Sequence, residues 1–150
     1  MKMHSTFRLA TALGMLSVVG SVLADEVRLT LSGGEEVPPV ATQATGSGVI
    51  TVNTDMSVSG GVTTTGVAGT MGHIHVGRAG ANGPQAITLT KTADGAWTVP
   101  PGTRLTEEQY KAYRAGELYI NIHSAQYKGG EIRGQLIPPG MGSMPKAAGY

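Results

Sequence analysis

Three short segments of this sequence alternate polar with apolar residues, and their polar side chains are of types that bind metal ions or build hydrogen-bonded networks. The segments span residues 72–76, 119–123 and 130–135. Because successive side chains of a β-strand point to opposite faces of the sheet, each segment predicts one apolar and one polar face. The isoleucines share the apolar face, and the polar face carries His73, His75, Asn121, His123, Glu131 and Arg133.

The last two segments are expected to pair as a β-hairpin, because two consecutive glycines between them supply a permissive backbone. Directly opposed residues of such a pair bring their Cβ atoms to ~4.5–5.5 Å, close enough for side chains to share hydrogen bonds. The register that gathers all the polar groups on one face opposes Tyr119 with Gln135, Asn121 with Arg133 and His123 with Glu131.

The first interpretation of this cluster is a metal site. The spacing of His73 and His75 puts two imidazoles on one face of a strand, and His123 adds a third nitrogen from another strand. Three histidines with an open fourth position are a known arrangement for Zn²⁺, and imidazole also suits Cu²⁺. Glu131 is then a fourth ligand or a partner that orients a ligating histidine. Zinc and copper are therefore the candidate cofactors, and the sequence establishes neither.

The second interpretation is structural. Matched polar residues on neighbouring strands often form a network that fixes the strand register, provided that each buried donor and acceptor has a partner. The residues that this interpretation adds to the histidines are Tyr119, Asn121, Arg133 and Gln135.

An enzymatic interpretation receives the least support. A metal-bound water with Glu131 as base could support superoxide-dismutase-like or hydrolytic chemistry. The three histidines that follow the N-terminal segment are too few for a two-metal site, and the chain has neither cysteine nor a Gly-x-Ser-x-Gly motif. We assign no catalytic residue and expect a binding or structural protein rather than an enzyme.

Short strands and turns dominate the rest of the chain. Gly, Thr and Val are frequent, and residues 27–32 alternate strictly between polar and apolar. Thr106 and Gln109 fit a capping box, which predicts one helix over about residues 106–115. This pattern predicts an all-β fold, an antiparallel Greek-key sandwich or small barrel with one short inserted helix.

The N-terminus has the pattern of a secretory signal peptide. Lys2 and Arg8 precede an apolar run that ends at Ala24, and we expect cleavage before Asp25. The run is shorter than the ~20 residues that a membrane-spanning helix needs, so no membrane span is expected after cleavage. A cysteine-free domain over residues 25–137 and a mobile tail over 138–150 would then lie in the periplasm or outside the cell.

Charge excludes one class of partner. Without Lys2 and Arg8 the chain has nine basic and ten acidic residues, a balance that offers no electrostatic footprint for nucleic acid.

Four motifs together resemble the chordin-type (CHRD) domain family. They are Glu-Val-Pro-Pro at 36–39, His-Ile-His at 73–75, Asn-Ile-His at 121–123 and Gly-Glu-Ile-Arg-Gly-Gln at 130–135. The resemblance covers about residues 27–136. It implies an exported β-sandwich-like domain without an established enzymatic activity, and it favours an unidentified protein or envelope component as partner.

Overall fold

The computed structural model describes residues 23–141. Within that range the chain forms nine strands, one α-helix and a 3₁₀ turn at Gly33–Glu35. The strands and the helix are β1 (Ala24–Ser32), β2 (Thr45–Asn53), β3 (Val58–Thr65), β4 (Gly69–Val76), β5 (Gln85–Thr88), β6 (Thr90–Ala93), β7 (Ala96–Thr98), α1 (Glu107–Arg114), β8 (Leu118–Ser124) and β9 (Ile132–Leu136).

All nine strands belong to one antiparallel sheet, in the order β5-β4-β8-β9-β1-β2-β3-β7-β6. The two edge strands of this sheet, β5 and β6, follow each other directly in the chain. In the described part of the chain, β5 pairs only with β4, and β6 pairs only with β7. Between them, the Leu89 N–H donates to the Gly72 carbonyl of β4 at 2.8 Å. The sheet therefore curls into a nearly closed barrel, which confirms the predicted all-β class and selects the barrel over the two-sheet sandwich.

Apolar side chains from alternate positions fill the barrel. Isoleucines of β4, β8 and β9 are almost completely buried, as are alternate residues of β1 and β2, and Trp97 of β7 lies among them. Each such side chain contributes about 1.5–3 kcal/mol by leaving water. The inward set from these strands comprises Val27, Leu29, Leu31, Ile50, Val52, Ile74, Trp97, Leu118, Ile120, Ile122, Ile132 and Leu136.

The helix begins and ends as its sequence predicts. The Thr106 hydroxyl accepts a hydrogen bond from the Gln109 N–H, and the Gln109 side chain accepts one from the Thr106 N–H. Gly116 follows the helix with a φ of 74°, a conformation that glycine adopts without strain. Tyr113 is fully buried, and its hydroxyl donates to Asp25 of β1, so the helix is fastened to the barrel.

The predicted register of the hairpin is confirmed. Tyr119 pairs with Gln135 and Asn121 with Arg133 across β8 and β9. On its other side β8 pairs with β4, where His73 lies opposite Asn121. The polar residues of these three strands therefore share the outer face of the barrel.

Loops cover this outer face, so all seven residues of β8 are buried on both sides of the sheet. The segment between β1 and β2 lies over it, with Thr42 donating to the Glu131 carboxylate. The loop between β4 and β5 lies beside that segment, with Asn82 donating to the Val37 carbonyl. The polar cluster is consequently an interior site between sheet and loops, not a solvated surface.

The predicted ends of the domain fall largely outside the described range. Of the expected signal peptide only Leu23 and Ala24 are described, and Ala24 is the first residue of β1. Of the expected tail, residues 138–141 are described, and Pro138 is fully buried. Between Leu23 and Met141, no helix is both long and apolar enough to cross a membrane.

Candidate metal centre

The three histidines predicted as ligands come together. His73 and His75 project from β4 and His123 projects from β8, and one ring nitrogen of each lies within 4.8 Å of the others. The closest pair is His73 Nδ1 and His123 Nε2, which are 3.0 Å apart. His73 and His123 are buried and His75 is half-buried.

Backbone carbonyls fix the protonation of two of these rings. His75 Nδ1 lies 3.0 Å from the Gly83 carbonyl oxygen, and His123 Nδ1 lies 2.8 Å from that of Lys128. A carbonyl oxygen only accepts hydrogen bonds, so each Nδ1 carries the proton and donates it. In the neutral ring Nε2 then keeps its lone pair, which is how a carbonyl prepares a histidine to bind metal through the other nitrogen.

The Nε2 atom of His75 is the clearest anomaly of the site. It is buried and makes no hydrogen bond of normal geometry with any described residue, although the Asn121 side chain is close enough to raise the pKa of the ring. An unpaired buried acceptor costs about 1–3 kcal/mol, and buried side-chain nitrogens normally have partners. This lone pair is thus available to a ligand.

Burial and neighbouring groups lower the pKa of two of the histidines. Burial lowers the pKa of His73, and the nearby His123 and His75 rings lower it further. Burial is also the largest cause of the lowered pKa of His75, with His123 and Arg133 adding to it, while the bond to Gly83 and the Asn121 amide oppose it. Neutral imidazole is the form that binds metal ions.

Glu131, the predicted fourth ligand, is not part of this group. It is buried, and its Oε1 accepts a hydrogen bond from the Thr42 hydroxyl at 2.8 Å. The structure brings it to the same covered face but directs it to the segment between β1 and β2.

Two of the predicted network residues hold the loop that follows β4. The guanidinium of Arg133 is almost fully buried and donates to the Arg78 carbonyl at 3.0 Å and to Asn82 Oδ1 at 3.4 Å. Gln135 donates to the Gly77 carbonyl at 2.7 Å. The loop that carries the Gly83 carbonyl is therefore fastened from β9.

Tyr119 links that loop to the histidines. Its hydroxyl accepts a hydrogen bond from the Gly83 N–H at 3.3 Å, and its ring stacks on His75 with a centroid separation of 4.9 Å. The Arg133 guanidinium lies 3.4 Å from the centroid of the Tyr119 ring. These contacts orient His75 from two sides, so the network supports the histidines instead of competing with them.

The chain matches one protein family over most of its length. The CHRD domain family model matches residues 27–136, which span all nine strands from the middle of β1 onward. The chain belongs to the CHRD domain family. Searches of curated proteins and of solved structures find no match.

One residue of the CHRD domain's site was missed by the sequence analysis. Glu36 is 5% exposed, and its Oε1 has no hydrogen-bond partner among the described residues. Burial raises its pKa to about 7, although Arg133, the Asn121 amide and the Val37 N–H all lower it. Glu36 lies in the Glu-Val-Pro-Pro motif at 36–39, and a carboxylate inside a family motif was the one signal in the sequence that could have found it.

The arrangement in this CHRD domain can hold a four-coordinate ion with modest movement. Zn–N bonds of ~2.0–2.1 Å place the ligand nitrogens of a tetrahedral site roughly 3.3 Å apart. His73 Nδ1 and His123 Nε2 are already 3.0 Å apart, and the widest separation among the three ligand atoms is at most 4.8 Å. Rotation of half-buried His75 is the movement that would close this gap.

Proposed function

We propose that this CHRD-domain protein binds one zinc or copper ion through His73, His75 and His123. The observation that carries the proposal is the buried, unpartnered Nε2 of His75, whose opposite nitrogen is held by the Gly83 carbonyl. Imidazole nitrogen is a preferred donor for both ions, and the supporting carbonyl is typical of ligating histidines.

A hydrogen-bonded network without metal is the second candidate. The short contact between His73 and His123 favours it, as do the satisfied bonds of Arg133 and Gln135. It leaves His75 Nε2 unpaired, however, and a buried network stabilises a fold only when its members are satisfied. An ion bound by the three histidines would satisfy this atom.

Binding is favoured over catalysis by the position of Glu131. Metal-dependent hydrolysis would need a base beside the metal-bound water, and Glu131 was the residue expected to serve. Its carboxylate is instead bonded to Thr42. We therefore infer a role in holding an ion, with any protein or envelope partner meeting the domain through its loops.

We place this function in the periplasm or outside the cell. The support is the signal-peptide pattern before Asp25 and the absence of cysteine from the sequence. A site built from histidines has no thiolate to oxidise, which suits an oxidising compartment.

The first test is the metal content of the protein purified from its native compartment, measured by elemental mass spectrometry. We expect about one equivalent of zinc or copper, and its loss in the His75→Gln variant. Adding the ion to metal-free protein at about 100 times its Kd should stabilise the fold by about 2.7 kcal/mol.

The matched control is Gln85→Ala. Gln85 is exposed and pairs with His75 across β4 and β5, so it probes the same strand contact without a ligand atom in the group. This variant should retain the ion. A purified protein without metal, with no thermal shift on adding Zn²⁺ or Cu²⁺, would contradict the proposal and leave the metal-free network.

A further inference from the structure

We propose that the side-chain oxygen of Asn121 is the fourth ligand of this site, so that the domain encloses its ion in a closed set of three nitrogens and one oxygen. This inference rests on the proposed metal-binding function. Asn121 would occupy the coordination position that three histidines alone leave open. A site without an open position holds its ion but does not present it to a substrate, so the role is metal binding and not catalysis.

The argument starts at His123, each of whose ring nitrogens lies close to an oxygen that only accepts hydrogen bonds. Nδ1 faces the Lys128 carbonyl at 2.8 Å and carries the proton of the neutral ring. Nε2 lies 3.1 Å from Asn121 Oδ1, an amide oxygen that only accepts. In the neutral ring the lone pair of Nε2 repels that of the amide oxygen at this distance, and a cation bound by both atoms would remove the repulsion.

The separations around His123 Nε2 fit a cation. Asn121 Oδ1 at 3.1 Å and His73 Nδ1 at 3.0 Å are both close to the roughly 3.3 Å expected between ligand atoms of a tetrahedral site. His123 Nε2 is thus flanked by a nitrogen from β4 and an oxygen from β8, both at distances that two ligands of one ion can have.

The orientation of the amide is set from its other end. Asn121 Nδ2 donates to the Gly129 carbonyl at 3.3 Å. It also lies on the side of Glu36, because a Cβ atom on Gly130 would be only 2.6 Å from Asn121 Nδ2 and would collide with Glu36 Oε1. Turning the amide over would direct its oxygen at two acceptors, so these neighbours keep the nitrogen on their side and the oxygen on the side of the histidines.

The rival ligands are less well placed. Glu131 is bonded to Thr42. Met71 lies opposite His123 across β4 and β8, but it is 49% exposed. Asn121 is only 2% exposed, and its Oδ1 lies 3.1 Å from His123 Nε2.

The test uses Co²⁺ in place of the native ion, because its visible absorption reports coordination number, and azide as a probe for an open position. The wild type should bind Co²⁺ with the intense bands of a four-coordinate site, and azide should leave them unchanged. Asn121→Ala should bind Co²⁺ and Zn²⁺ at least ~10-fold more weakly, and its bands should shift with azide. Met71→Ala is the matched control on the same face and should behave as the wild type.

The double variant Asn121→Asp/Glu36→Gln keeps the inference testable if the alanine variant does not fold. The aspartate retains an oxygen at the position of Oδ1 and adds a charge, while the glutamine amide can donate to its second oxygen. This variant should bind Zn²⁺ at least as tightly as the wild type and change the Co²⁺ bands. Unchanged affinity and bands in the Asn121 variants, or a loss confined to Met71→Ala, would overturn the inference while leaving three-histidine binding intact. A wild type that binds neither Co²⁺ nor Zn²⁺ would overturn the proposed function itself.

Discussion

Replacing Glu36 by glutamine should make the metal-free domain more stable at alkaline pH. The Glu36 carboxyl is buried, and its pKa is raised from 4.5 to about 7. Between these values the folded state holds a proton that the unfolded state has lost. The free energy of unfolding contributed by this group is therefore fully present below pH 4.5 and is lost as the pH rises through about 7. Glutamine has the shape of the protonated acid and cannot ionise, so it avoids this loss.

The magnitude follows from the two pKa values. At 1.36 kcal/mol per pKa unit, the interval from 4.5 to about 7 sets a ceiling of about 3 kcal/mol. Solvent screening around a carboxyl close beneath the surface reduces this to about 1–2 kcal/mol. Glu36→Gln and the wild type should thus be about equally stable at pH 5, and the variant should be about 1–2 kcal/mol more stable at pH 8.5.

Urea unfolding at several pH values, with a chelator present, measures this difference. The lowered pKa values of His73 and His75 act in the opposite direction, since they stabilise the fold as the pH rises through about 6.5. Subtracting variant from wild type cancels that contribution. Glu35→Gln is the matched control, because Glu35 is the exposed neighbour and its replacement should change stability by no more than about 0.5 kcal/mol. A Glu36→Gln variant that is less stable at pH 8.5, or a difference that does not vary with pH, would refute the reasoning.

Two further predictions concern backbone and cap positions. Gly130→Ala should destabilise the domain by about 1–3 kcal/mol and weaken metal binding, since φ is 128° and the new Cβ would displace Asn121; Gly129→Ala, which meets nothing within 4 Å, should do neither. Thr106→Ala should cost about 1 kcal/mol through the lost helix cap, measured by urea unfolding, while a change in metal affinity would contradict the separation of helix and site.

Alternation along the strands was enough to sort the site residues by face. The period of two puts Ile120 and Ile122 inside and Asn121 and His123 outside, and the glycine pair before Glu131 left one register that groups the polar residues. The capping box likewise located the helix, because it depends on residues only three apart. These features depend on residues that are close together in the chain, so they can be predicted from the sequence.

The hydrogen-bond partners of the site residues could not be predicted from strand alternation. His75 and His123 are oriented by the carbonyls of Gly83 and Lys128, and every residue type offers the same carbonyl, so no sequence pattern marks it. Glu131 faces Thr42 instead of the histidines because a segment distant in the chain folds over the sheet.

The sequence by itself determined that this is an all-β CHRD domain whose three histidines share one face, since strand periodicity and family motifs are written in residue types. Only the tertiary structure decided that the sheet closes into a barrel, that loops bury the polar face, and that Glu36 joins it. The physical reason is that alternation specifies which face a side chain takes, whereas its protonation and its readiness to bind an ion depend on what covers that face.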